Sequence, residues 1–90
     1  MRRKGWGFEM KIFSFNVRGL GTGEKKREIR RLISEKSPDV FCIQETKLEV
    51  VDDVMCRSLW GSEDVAYSFK PSVGASGGIL TMWNHSVVDI

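Results

Sequence analysis

Histidine, cysteine and proline are scarce in this chain, and each shortage closes a class of explanation. His85 is the only histidine, and Cys42 and Cys56 are the only two cysteines. That leaves too few soft ligands for a tetrahedral zinc set and too few thiols for a disulfide framework. Cys42 lies in the apolar run Val40-Phe41-Cys42-Ile43, where a free thiol behaves as a small hydrophobe. Two prolines against nine glycines, with 41% hydrophobic and 29% charged residues, exclude collagen-like and disordered chains. No apolar run approaches the roughly 18 residues of a membrane span. Met1-Arg2-Arg3-Lys4 is basic like the start of a signal peptide, but Gly5, Gly7, Glu9 and Lys11 interrupt any apolar stretch behind it. The expectation is one small domain in 90 residues, soluble and intracellular, a nuclear location included. No membrane contact and no obligate protein partner are read from it.

Charge is scarce in the sum and uneven along the chain. Residues 1–36 hold eleven Lys and Arg against four Glu, while residues 37–90 hold three against eight Asp and Glu. A basic front half can steer toward nucleic acid, with Lys26, Arg30 and Arg31 as the candidate contacts. Equally, Lys25, Lys26, Arg27, Arg30 and Arg31 can be the wet face of a helix.

The pattern predicts alternating elements. Residues 11–17 read as a strand, with Phe13, Phe15 and Val17 on one face and Ile12, Ser14 and Asn16 on the other. Gly19, Gly21 and Gly23 break it, and Thr22 is placed to cap a helix over about 24–36. Ile29, Leu32 and Ile33 form that helix's apolar stripe, and Arg31 with Glu35 forms an i, i+4 pair. Ser37-Pro38-Asp39 stops it, and Val40 to Ile43 reads as a strand buried on both faces. Strand, helix and strand make a βαβ unit with a parallel pair. Residues 50–60 read as a short helix with Val51, Val54, Met55 and Leu59 on one side. Strands over 65–69 and 78–83 follow, turning antiparallel through Pro71 to Gly77. Ser86 to Ile90 reads as a fifth apolar segment that is cut off, as in a domain that continues.

Two places invite chemistry. Gly19-Leu20-Gly21-Thr22-Gly23 follows a strand and opens a helix, but G-x-G-x-x-G needs glycine where Glu24 stands. A carboxylate in the first helical turn also opposes a phosphate there. The second place is stronger. Asn16 ends the first strand and Glu45 follows the second, so parallel neighbours bring both to the sheet edge where open α/β folds bind ligands. A carboxylate there suits a hard cation such as Mg²⁺, and the amide can orient a phosphate oxygen. Ordinary polar strand ends remain the alternative.

The stretches Phe13-Ser14-Phe15-Asn16-Val17-Arg18-Gly19-Leu20 and Ser37-Pro38-Asp39-Val40-Phe41-Cys42-Ile43-Gln44-Glu45-Thr46-Lys47 resemble the opening of the endonuclease/exonuclease/phosphatase superfamily. Within it they are most similar to endonuclease domains of plant LINE-type retrotransposons and reverse-transcriptase-like proteins. Ser76-Gly77-Gly78-Ile79-Leu80, with Trp83, is similar to a later strand motif of that group. The likeness runs from about Met10 to the end, so residues 1–9 are expected to be a poorly ordered basic leader and 10–90 the family domain.

The resemblance implies an α/β (α+β) sandwich, two mixed sheets face to face with helices outside, of which this chain supplies about the N-terminal half. Both sheets would then be incomplete. It implies Mg²⁺-dependent hydrolysis of a phosphodiester, with DNA as partner, Glu45 as metal ligand and Asn16 as organiser of the phosphate and catalytic site. The family's Asp-x-Asn pair, further asparagine and Asp-His dyad have no counterpart here, and His85 is not in the motif of the catalytic histidine. Inactivity of the chain alone is therefore expected. A non-catalytic nucleic-acid-binding remnant of a retrotransposon and a small nucleotide-binding α/β module are the alternatives.

Overall fold

Aromatic and β-branched residues alternate from Ile12 onward, and there the main sheet begins. The computed structural model describes residues 10–87 and the backbone of Arg3–Lys4 and Gly7–Phe8. Strand β1 (Arg3–Lys4) pairs antiparallel with β2 (Gly7–Phe8). The expectation of a poorly ordered leader over 1–9 otherwise falls outside the described residues.

Strand β3 (Ile12–Asn16) alternates between exposed and half-buried positions as its sequence predicts. Helix α1 (Gly23–Lys36) then crosses over the sheet. The Thr22 hydroxyl accepts the Lys25 amide at 3.2 Å, which satisfies one of the open N–H groups of the first turn. At the other end Ser37 adopts a left-handed conformation (φ 47°) and donates to the Ile33 carbonyl at 2.9 Å, with Pro38 preventing continuation. Strand β4 (Val40–Gln44) lies parallel to β3, in register from Ile12 opposite Val40 to Asn16 opposite Gln44. Their starts are tied by Asp39, which is fully buried. Its Oδ2 accepts the Lys11 amide at 2.9 Å, and its own amide donates to the Lys11 carbonyl at 2.8 Å.

Helix α2 (Asp53–Trp60) is capped by Asp52, whose Oδ1 accepts the Met55 amide at 2.9 Å, and ends at Gly61. Strands β5 (Val65–Lys70) and β6 (Ile79–Asn84) form the expected antiparallel pair, and β6 also pairs antiparallel with β4. The order is β3-β4-β6-β5. Both helices pack on one face, where Ile29, Ile33, Cys56 and Leu59 meet Phe41, Ile43, Leu80 and Met82 in one core cluster.

Several expectations change in detail. The four longer strands belong to one sheet rather than to parts of two, because β6 of the hairpin docks on the free edge of β4. Helix α2 begins at Asp53, so Val51 is buried just ahead of it and Val54 points outward at 67% exposure. Once Asp52 sets the helical phase, Cys56 and Leu59 face inward and Val54, two residues from Cys56, falls on the far side. The Arg31–Glu35 pair is not made. Among the described residues the ion pair is Arg57 with Asp53, at 4.0 Å. An exposed pair gains too little to overcome the entropy of fixing two long side chains. In β4, Val40, Phe41 and Ile43 are buried but Cys42 is only half-buried, because its face of the sheet also carries exposed Ile12, Ser14 and Ser68. After β6 the chain turns, with the Val87 amide on the Asn84 carbonyl at 3.1 Å, and the rest of the expected fifth segment lies outside the described residues.

Candidate functional site

Beyond Asn16 and Gln44 the two parallel strands keep exchanging hydrogen bonds as they leave the sheet. The amides of Val17, Gly19 and Leu20 donate to the carbonyls of Gln44, Glu45 and Thr46 at 3.0, 2.7 and 2.9 Å. Three side-chain-bearing residues here, Arg18, Glu45 and Lys47, have φ of 54°, 56° and 59°. Such left-handed residues cost on the order of 1–3 kcal/mol each and persist only where their surroundings hold them.

The surroundings here are specific. The Thr46 and Lys47 amides donate to the carbonyls of Gly78 and Gly77 at 3.1 and 2.8 Å. Thr46 is only 1% exposed, and its hydroxyl accepts the Leu48 amide at 3.3 Å. Gly78 has φ of 94°, and a Cβ on it would strike the Thr46 hydroxyl and crowd the Lys47 nitrogen at 3.1 Å. Glycine is thus required at 78 on both counts.

That clamp presents Glu45 to solvent beside Asn16. The Asn16 amide nitrogen donates to Glu45 Oε2 at 2.7 Å. The two face an open cleft of about 440 Å³ whose walls include Gln44, Lys70, Ser76 and Gly77. Among the described residues no group of three or more His, Cys, Asp or Glu converges here or elsewhere, so the protein offers one carboxylate rather than a cage. One carboxylate fits Mg²⁺, which keeps several waters and draws on substrate phosphate oxygens. The other Glu45 oxygen and the Asn16 amide oxygen are the hard donors at hand.

The sequence brought Asn16 and Glu45 together correctly. It gave no role to Thr46, Gly77 or Gly78, although Gly-Gly ahead of an apolar strand signals a close backbone approach. Lys70 was also missed as a cleft residue. Its only sequence signal is its place at the end of β5. The basic candidates lie elsewhere. Arg30 is tied to Ser58, through Nε to the carbonyl at 3.1 Å and Nη2 to the hydroxyl at 3.2 Å. Arg30 and Arg31 line a groove at the opposite end of the sheet, and Lys26 is half-buried off that groove. His85 is exposed in the turn after β6, also far from Glu45. The Gly19–Gly23 turn has its Thr22 hydroxyl already committed to the helix cap, with Glu24 in the first turn, which disfavours a phosphate cradle.

A mixed sheet with helices on one face, and a carboxylate and an amide at the C-terminal edge of a parallel pair, define an α/β fold with polar side chains at the edge where open α/β sheets commonly bind ligands. The family model for the Endonuclease/Exonuclease/phosphatase family matches residues 13–90, and the chain belongs to that family. The AP endonuclease LMAP of Leishmania major superposes with a TM-score of 0.62 at 25% identity, over 86% of this chain and 24% of that one. An AP endonuclease from Archaeoglobus fulgidus gives 0.65 at 23% identity, over 83% and 27%. The Xenopus laevis APE2 catalytic domain gives 0.55 at 24%, over 83% and 23%. The chain thus spans about a quarter of the length of these structures. No curated protein matches it in sequence.

Proposed function

We propose that the Asn16–Glu45 edge is the metal- and phosphate-binding edge of a phosphodiesterase, and that this chain is the N-terminal part of a DNA endonuclease-like domain. The observation that carries the reading is the 2.7 Å hydrogen bond between the two side chains at the mouth of an open cleft. Glu45 would hold a divalent cation through its free oxygen. Such a cation polarises a phosphoryl oxygen and stabilises charge on the leaving group. Asn16 fixes the carboxylate's direction, and Lys70 on the cleft wall supplies a positive charge within reach of a phosphodiester. Membership of the family and the likeness to AP endonucleases support DNA as substrate. Within the family, the Asn16-Val17-Arg18-Gly19-Leu20 and Gln44-Glu45-Thr46-Lys47 motifs favour the retrotransposon type. Hydrolysis also needs a base for the attacking water, and neither Asn16 nor Glu45 as placed here supplies one.

A chimera tests this. Residues 10–90 replace the corresponding segment of a complete AP endonuclease of the family, and duplex DNA cleavage is followed with and without Mg²⁺. The chimera should cleave only with Mg²⁺, Glu45→Gln should lower turnover at least about 100-fold, and the 90-residue chain alone should be silent. Metal-dependent cleavage by the chain alone, or full activity of the Glu45→Gln chimera, would overturn the reading.

A further inference from the structure

At the end of the sheet away from Glu45, α1 and the C-terminal turn of α2 enclose an open groove of about 860 Å³. The crossover dictates this separation. Helix α1 (Gly23–Lys36) carries the chain back from the Asn16 end to the Val40 end, so Arg30 and Arg31 in its C-terminal half sit a strand length, ~17 Å, from the cleft, with Arg27 about one turn nearer. Arg27, Arg30 and Arg31 line the groove, with Trp60 and Pro38 as its apolar surface and Glu35 as the acidic residue of the lining. Arg30 is held against α2 by its two hydrogen bonds to Ser58. By contrast, the guanidinium groups of Arg27 and Arg31 make no hydrogen bond or ion pair among the described residues. Both are solvent-exposed, with Glu24 and Glu28 beside them on the same helix, and their forks remain open to an anion in the groove.

We infer that this groove binds a single-stranded nucleic-acid segment, its phosphates on Arg27 and Arg31 and a base against Trp60. Guanidinium groups pair with phosphate oxygens in a fixed fork, and an indole face accepts any base by stacking. The chemistry favours a ligand that joins anionic and aromatic parts at short, regular spacing, which every nucleotide of a strand supplies and an acidic peptide supplies only where aromatic residues are interspersed. An open groove admits unpaired bases, whereas the stacked bases of a duplex could not reach Trp60. The site is independent of Glu45 and needs no metal, so it can succeed or fail apart from the hydrolytic reading.

The test is fluorescence anisotropy of a short fluorescein-labelled oligothymidylate with the 90-residue chain in EDTA, across a salt series. Binding should weaken as salt rises. Arg27→Gln with Arg31→Gln should weaken it at least about tenfold at low salt and reduce the log–log salt slope by about 1.4. Trp60→Leu, which keeps an apolar side chain, should weaken it about fivefold or more without changing that slope. Arg57→Gln, a charge lost elsewhere on the surface, should change little, and circular dichroism should show each variant folded as the parent. Absence of binding at low salt, or unchanged affinity and slope in the double arginine variant, would overturn the inference. So would polyglutamate binding as tightly as the oligonucleotide, which would assign the groove to an acidic protein segment.

Discussion

Asn16 and Glu45 are 29 positions apart, yet the amide of one donates to the carboxylate of the other at 2.7 Å. Two features produce that contact. The parallel register sets Asn16 opposite Gln44, and the left-handed backbone at Glu45 turns the next side chain back over the strand end. An extended Glu45 would continue the alternation of β4 and point to the helix-covered face.

Gly78 holds this turn in place, and replacing it should show the cost. In Gly78→Ala the new methyl group meets the Thr46 hydroxyl in a backbone conformation that alanine resists. A loss of about 1–3 kcal/mol of stability is expected, read as a lower urea midpoint. Gly74→Ala, where φ is 60° but a Cβ would meet nothing, should cost less.

The βαβ order, the Thr22 cap, the stop at Ser37-Pro38 and the hairpin through Pro71–Gly77 were legible because each depends on neighbours in sequence. So was the meeting of Asn16 and Glu45, because a parallel pair leaves only one place for two strand ends. The clamp of Thr46 on Gly77–Gly78 was not legible, since it depends on which strand β6 joins. The outward turn of Val54 was missed because Asp52 sets the helical phase, and an apolar count ignores the cap. The distal groove required knowing that Trp60, from α2, stands beside arginines from α1.

Asp39 should be among the least replaceable polar residues. It is fully buried, and its carboxylate receives the Lys11 amide at the start of the parallel pair. Asp39→Ala leaves that amide without its partner and should cost about 1–3 kcal/mol. Hydrogen exchange at Lys11 and Ile12 should accelerate more than exchange in α2. Equal protection in both variant and parent would remove the tie from the account.

Stability should fall in alkali. Burial, with Asp53 and Asp52 adding to it against the opposing pull of Arg57, pushes the Cys56 thiol up from 9.0 to about 12. The hydrogen bond that Tyr67 gives Asp53 at 2.8 Å, followed by burial, raises its phenol from 10.0 to about 12. Unfolding frees both groups to ionise near their ordinary values. The unfolded chain therefore holds fewer protons than the folded one above about pH 9, and the equilibrium shifts toward it as pH rises. Urea midpoints should drop progressively between about pH 9 and about pH 12, and the drop should shrink in Tyr67→Phe with Cys56→Ala. An identical drop in the double variant would place the alkaline effect elsewhere.

The central claim is that Glu45, aimed by Asn16, receives a hard divalent cation at the sheet edge. Titrating Mn²⁺, a paramagnetic ion with the same preference for oxygen ligands as Mg²⁺, into the ¹⁵N-labelled chain reads this directly. The amides of Asn16, Val17, Glu45, Thr46 and Gly77 should broaden first, and Glu45→Gln should abolish that pattern while leaving the spectrum folded. Broadening centred on the carboxylates of Asp52, Asp53 and Asp64, or a pattern unchanged in Glu45→Gln, would contradict the account.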